Sequence, residues 1–441
     1  MLDMITEITD FLWGLPLTIF VVCVGIYMCV CCKFFQLTKI KHIFRSTVGK
    51  LIDNKNKTDD DKKTISMVLA GTIGTGNIAG IASAIAVGGP GAIFWMWIIS
   101  FISMATKMAE VTLSVKYRKK KEDGTYSGGP MYYIKQVSGK LGKILAVVYS
   151  VSLLTYVITD SCFAQMNTLA TTINETFKVP LILIGIIAIG ISIIIINKGL
   201  DKMGIFLKRI VPVMTLIYLI SAILIVIINI TKIPNVLIDI IKYAFQPAPV
   251  MGGFAGATIM MAISKGAARG IFANEAGLGT SATVYATQKN AKPVEQGMWG
   301  IFEVAVVSFV TCTLTALLIM VTGSISTGNS GAVLVLDAFQ TIYGNYGKVI
   351  LSIIIALFAY TSYLGYFIEF KTSITYLFGE NKFKYLKWIY YIPVIFAVLL
   401  PIDAIWALAD ISVGFIIIPN LIALILLGTK FKNIIKEYNV S

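Results

Sequence analysis

Histidine is nearly absent from this 441-residue sequence, and the single copy, His42, lies in the basic stretch "KIKHIFR". The six cysteines fall within or at the ends of apolar runs and pair with no histidine at zinc spacing. They read as buried free thiols rather than disulfides. A membrane enzyme would need a nucleophile–base pair or metal ligands, and neither is present, so we expect no enzyme. Charge is scarce as well, at 14% of residues against about 25% in soluble domains. No polar stretch is long enough for an appended soluble module, which argues against a sensor. The opening "MLDMITEITD" is acidic where a signal peptide is basic, so it is expected to be retained.

What is abundant is apolar sequence: 57% of residues, a mean hydropathy of +0.82, and long blocks. Such blocks are the mark of a polytopic membrane protein. They predict eleven spans: 11–32, 64–86, 91–115, 141–170, 180–197, 203–230, 254–285, 297–322, 347–378, 385–400 and 404–427. With the amino terminus outside, the inward segments hold 30 of the 37 lysines and arginines. Basic residues of short loops favour the cytoplasmic side, so the carboxyl terminus is expected there, in a plasma-membrane protein surrounded by lipid. The net charge of +14 is then a topology signal. A nucleic-acid partner is not expected, because the basic residues are dispersed over many loops.

Two spans are poor helices. "GTIGTGNIAGIA", Gly71 to Ala82, mixes glycine, threonine and asparagine into an apolar run, although glycine costs a helix interior about 1 kcal/mol relative to alanine. Irregular polar backbone is tolerated at membrane depth only inside protein or beside an aqueous cavity. A broken helix there offers N–H groups to an anion and carbonyls to a cation. "MMAISKGAARGIFANEAGLGTSA", Met260 to Ala282, is a second such span. Five spans separate the two starts, and because five is odd the two five-helix units (64–230 and 254–427) must be inverted. Segment 11–32 is one extra helix in front.

The segments "GTIGTGNIAGIASAIAVGGPGAIFWMW", "SGGPMYY" and "ARGIFANEAGLGTSA" resemble the hallmarks of the alanine/glycine:cation symporter family, within the amino acid–polyamine–organocation group. The resemblance covers nearly the whole chain. It implies an all-α leucine-transporter type of fold, a 5+5 inverted repeat, and sodium-coupled (in some members proton-coupled) import of alanine or glycine by alternating access. No organic cofactor is implied, only the coupling ion Na+.

Carried onto this sequence, the resemblance places the substrate carboxylate on the N–H groups of Thr75 and Gly76. The ammonium would face the carbonyls of Thr72, Gly270 and Ile271. Asn77, Gln165 and Asn274 are candidate polar contacts, with Phe272 as an apolar lid or floor. Sodium would be held by carbonyls of Ala70 and Ile73 and hydroxyls of Thr361 and Ser362. Neutral oxygens suit a monovalent ion, whereas calcium and magnesium recruit carboxylates. Plainer readings stay open: glycines for helix packing, Gln165 in an interhelical hydrogen bond, Thr361 bonded back to its own helix. Cys162 could line the pocket, and Asp160 is placed on a face lined by water. Lys265, Arg269 and Glu275 are candidates for gating or for structural pairs with Glu303 or Glu369. The alternative function is a sodium- or proton-coupled carrier of another small solute.

Overall fold

A computed structural model of the chain describes residues 9, 12–50, 74–122 and 124–438. Its principal helices, in chain order, are α1 Leu15–Cys31, α2 Ala79–Gly88, α3 Gly91–Lys116, α4 Gly139–Phe177, α5 Leu181–Asn197, α6 Leu200–Ile228 and α7 Ile233–Phe245. They continue as α8 Ile259–Asn274, α9 Thr280–Tyr285, α10 Pro293–Thr322, α11 Gly331–Phe378, α12 Ile392–Ala397 and α13 Ile402–Glu437. Helix is what apolar surroundings demand, since each backbone polar group must be satisfied within its own segment. The one sheet among the described residues is a two-stranded ribbon, Lys119–Lys120 with Tyr126–Ser127.

Six helices among the described residues are long and apolar enough to cross a bilayer: Gly91–Lys116, Gly139–Phe177, Lys202–Ile228, Pro293–Thr322, Gly331–Phe378 and Ala404–Glu437. Pro16–Cys31, Thr75–Gly88 and Leu181–Asn197 are shorter apolar helices. Helix α5 turns Ile182, Leu183, Ile186, Ile187, Ile191 and Ile194 outward, an apolar face suited to lipid rather than water.

The remaining expected spans take other forms. The stretch 385–400 holds a 3₁₀ turn, Lys387–Tyr390, and the six-residue α12. Pro393 opens α12, and the amide of Asn167 donates to the carbonyls of Ala397 (2.9 Å) and Leu400 (3.0 Å) at its end. Helix α11 begins at Gly331, ahead of the expected 347, and turns sharply at Gly344 (φ 60°, ψ −151°). Of the span 64–86, residues through 73 lie outside the described residues.

The helices meet through small residues. A Cβ on Gly91 of α3 would stand 2.1 Å from the Tyr243 carbonyl oxygen of α7. One on Gly266 of α8 would stand 2.4 Å from the Ala92 oxygen, and one on Gly297 of α10 would stand 2.4 Å from Thr112 Oγ1. Close backbone approach of this kind drives association where the hydrophobic effect between helices is absent. Helix α3 is thus clamped by α7, α8 and α10.

Polar ties at the two ends of the helices join the segments in two sets. Lys50 pairs with Glu295 (2.6 Å), Arg118 donates to the Ala286 and Lys289 carbonyls, and Lys121 pairs with Glu380. Lys430 donates to the Gln136 carbonyl. All of these join segments that the charge rule puts on one side. Lys348 pairs with Glu175 and Lys232 donates to the Val321 carbonyl, joining segments of the other side.

Gly266→Val tests the clamp. Its branches would collide with the Ala92 backbone, and overpacking of this kind costs about 1–3 kcal/mol. Thermal unfolding of the detergent-solubilised variant should come at lower temperature; an unchanged melt would show that α3 and α8 give way at that contact.

Candidate substrate and cation site

Both polar spans hold irregular backbone among the described residues. At the first, Gly74 is extended (φ −117°, ψ −163°), Thr75–Asn77 make one 3₁₀ turn, and α2 starts at Ala79. Ala70, Gly71, Thr72 and Ile73 lie outside the described residues. At the second, α8 ends at Asn274, Glu275 takes a left-handed conformation (φ 55°), and α9 resumes at Thr280. Gly279, at φ 73°, could not be replaced without strain, because a Cβ there would also meet Pro130 Cγ at 2.2 Å. The motif "SGGPMYY" is therefore packing chemistry: its Gly129 (φ 129°) lies against Thr283 and its Pro130 against Gly279.

The first break, α4, α8 and α11 converge on one spot. The Thr75 hydroxyl donates to Gln165 Oε1 at 2.8 Å, and the Thr75 N–H reaches the same oxygen at 3.4 Å. A Cβ on Gly74 would stand 2.6 Å from Ser362 Oγ and 3.6 Å from Gln165 Oε1. One on Gly76 would stand 2.8 Å from Phe272 Cε1. Thr75, Gly76, Gln165, Phe272 and Ser362 thus form one buried cluster. Glycine at 74 and 76 is a matter of room: a Cβ at either would force the Ser362 hydroxyl or the Phe272 ring to shift.

Other candidates sit at its edges. The Asn77 carbonyl accepts from the Thr315 hydroxyl at 3.0 Å, and its side-chain oxygen lies 3.6 Å from the Cys312 thiol. Gly270 and Ile271 are buried in the last turn of α8, Gly270 against Met96. The amide of Asn274 donates to Ser100 Oγ (3.1 Å) and Ser308 Oγ (3.2 Å) and accepts from the Ala276 N–H (2.9 Å). It holds the second break in shape. The Thr361 hydroxyl donates to the Leu357 and Phe358 carbonyls of its own helix and faces Met214. One residue along a helix is a turn of about 100°, so the vicinal hydroxyls point different ways: Ser362 meets the first break and Thr361 meets α6. Cys162 donates to the Tyr390 carbonyl (3.2 Å).

The charges pair differently from expectation. Arg269 forks onto Asp410 of α13 at 2.7 and 2.9 Å, beneath Trp406. Glu303 pairs with Lys107 of α3 at 3.1 Å and accepts from the Tyr285 hydroxyl. Lys107 also donates to the Asn274 carbonyl at 3.0 Å, placing an ammonium on the negative end of a half-helix. Glu275 accepts from the Tyr366 and Thr280 hydroxyls. Asp160, expected on a watery face, is fully buried. Lys107 and Asp410 were detectable only as charges within apolar runs; nothing in the sequence named their partners.

A cavity of about 230 Å³ is lined by Ser83, Thr168, Thr172, Glu175, Ser330 and Trp406 among others. The Trp406 ring packs edge-on against Phe272 at 5.4 Å. Trp406 and Phe272 therefore separate the cavity from Gly76. No group of three or more His, Cys, Asp or Glu among the described residues is placed to hold a metal ion.

The profile of the sodium:alanine symporter family matches residues 1–441. The probable sodium/glutamine symporter GlnT of Bacillus subtilis is 34% identical over 436 residues, covering 97% of this chain and 89% of the relative. The sodium/alanine symporter AgcS of Methanococcus maripaludis is 29% identical over 444 residues, covering 99% and 97%. A solved mutant of the Eremococcus coleocola manganese transporter shares the fold at TM-score 0.53, with 13% identity, 82% of this chain covered and 76% of that one.

Lys107→Met tests what holds the second break. Removing one partner of a buried pair leaves an uncompensated charge and costs about 3–5 kcal/mol. Thermal stability should fall sharply, and Lys107→Met combined with Glu303→Gln should recover most of the loss. If the double variant melts no higher than the single one, the loss stems from the Asn274 carbonyl rather than from the pair.

Proposed function

This chain belongs to the sodium:alanine symporter family, and on that premise we propose that it imports alanine and glycine through the cluster at Gly74–Gly76, driven by sodium. It is a multi-pass membrane transporter and not an enzyme, and its relatives support sodium-coupled amino-acid symport. We read the full span set as eleven, in two inverted five-helix units with a leading helix. The breaks at Gly74–Asn77 and Glu275–Gly279 fall in the first span of each unit. The amino terminus is then outside and the carboxyl terminus cytoplasmic, in the plasma membrane. The two sets of end ties support that sidedness.

One observation carries the site: Gln165, Ser362 and Phe272, from three different helices, all close on one glycine-rich break. In this reading the amides of Gly76 and of Thr75, the latter leaving Gln165 Oε1, take the carboxylate, and the second lone pairs of the Gly270 and Ile271 carbonyls, the latter already accepting from the Glu275 N–H, take the ammonium. Asn77 and Asn274 brace the breaks around it. Phe272 walls the side-chain space. Sodium sits with Ser362 and Thr361 and with carbonyls of the segment that includes Ala70 and Ile73; Thr72 belongs to the substrate wall. A hydroxyl that donates to its own helix, as Thr361 does, still has lone pairs for an ion.

The tightness at Gly76 favours a substrate without a long side chain. Purified protein in liposomes with an inward sodium gradient should accumulate labelled alanine. Unlabelled glycine should compete, while leucine and glutamine should barely do so, since a filled site resists added methylenes. Equal competition by glutamine would instead align the chain with the substrate named for its GlnT relative.

Sodium should tighten alanine binding, and alanine should tighten sodium binding by the same factor, about 5–150-fold. Thr361→Ala with Ser362→Ala should raise the sodium concentration for half-maximal uptake. Ser362→Ala should account for the larger share, because Ser362 is the hydroxyl at the first break. A double variant with the parent's sodium dependence would move the ion elsewhere.

A further inference from the structure

We propose that Asp160 takes up a proton together with the substrate, and that Gln165 links the two. The inference rests on the reading above, in which the substrate carboxylate arrives at the amides of Thr75 and Gly76.

Asp160 lies in the wide π-helical segment Val157–Gln165 of α4 and is fully buried. Such segments recur at functional sites. Its Oδ1 accepts from Gln165 Nε2 at 3.2 Å, whereas its Oδ2 has no hydrogen-bond partner among the described residues. No ion pair among the described residues reaches it. A carboxylate so placed needs either a cation or a proton.

The surroundings favour the proton. On its own helix Asp160 faces Tyr156 and Cys162, from α11 Tyr366, and from the second break Glu275. Glu369 of α11 and Tyr390 stand one layer further out. Helix α13 meets the segment through Ser412, which bonds Thr159, and nearby Asp410 is held by Arg269. The Tyr366 hydroxyl gives its one hydrogen to Glu275, whose other oxygen takes that of Thr280. Tyr366 then offers only lone pairs, and the Tyr156 hydroxyl lies 3.1 Å from that same oxygen. The Tyr366 and Tyr156 hydroxyls lie against the Asp160 carboxyl, and with the Tyr366 hydrogen committed to Glu275 a protonated Asp160 has an acceptor in the Tyr366 oxygen.

Gln165 joins this acid to the substrate site. Its nitrogen is on Asp160 and its oxygen is on Thr75. With Asp160 ionised, an arriving carboxylate would face a second negative charge across one amide side chain in a dry interior. A proton from the medium removes that repulsion, so proton and substrate bind together and each raises the affinity for the other. Substrate affinity should fall as pH rises, by at most about tenfold per pH unit for a single proton.

The test is equilibrium binding of labelled alanine to the full-length, detergent-solubilised protein at saturating sodium across the neutral pH range. It is paired with an indicator-dye measurement of proton uptake when alanine is added in weak buffer. The parent should bind more weakly at each higher pH and should take up protons with alanine. Asp160→Asn keeps the oxygen that Gln165 uses and should bind alanine with a flat pH profile and no proton uptake. Where that variant fails to fold, the parent's proton uptake decides. Alanine binding without proton uptake overturns the proposal and leaves the transport reading intact. Retention of the parent's pH slope by Asp160→Asn also overturns it, as does a flat profile in the parent with a raised sodium requirement in the variant, which would make Asp160 a sodium ligand. Absence of alanine binding at every pH overturns the reading of the site itself, and the proposal with it.

Discussion

Everything in this chain follows from the demand that a backbone N–H or C=O in hydrocarbon have a partner. Unbroken helices meet that demand by themselves, so the lipid-facing α5 carries little but isoleucine, leucine and glycine outside its few small polar residues. Where the helix is interrupted, partners must come from elsewhere. The second break is held by Lys107 on the Asn274 carbonyl, by the Asn274 amide on Ser100, Ser308 and Ala276, and by the Glu275 carboxylate on Tyr366 and Thr280. The first is held by Gln165 on Thr75 and by Thr315 on the Asn77 carbonyl.

Those partners also tie the two breaks together. From Thr75 the contacts run through Gln165 to Asp160, past Tyr366, to Glu275 and Thr280. The paired charges, Arg269 with Asp410 and Lys107 with Glu303, flank that path. Buried pairs of this kind add little net stability but are costly to break, which makes them positional devices: each fixes one helix relative to another.

Much of this was legible in residue order. The glycines and polar residues of "GTIGTGN" and of Met260 to Ala282 are visibly wrong for membrane helices, so two irregular spans could be named, the second without its position. Gln165 could be singled out because an amide in an apolar run needs a partner. The partner itself could not be named: Thr75 is 90 positions away. Asn167 illustrates the opposite outcome. It carries the same signal as Gln165, yet its amide ends α12 by holding the Ala397 and Leu400 carbonyls. The stretch 385–400 is apolar enough to suggest a span, but the prolines at 393 and 401 confine its α-helix to six residues. Thr361 and Ser362 look equivalent in sequence and diverge only because adjacent helical residues point about 100° apart.

What the sequence by itself determined are the properties set by local chemistry: a membrane environment, the presence of two spans unfit for regular helix, and the distribution of basic loops. These follow from composition and short-range pattern, because solvation and helix propensity act residue by residue. What only the tertiary structure decided are the pairings. Arg269 finds Asp410 and not Glu303, Lys107 takes Glu303, and Asp160 is sealed from water with one oxygen on Gln165. Coulomb attraction and hydrogen bonding act over a few ångströms of space, and which side chains come that close depends on how helices distant in sequence pack.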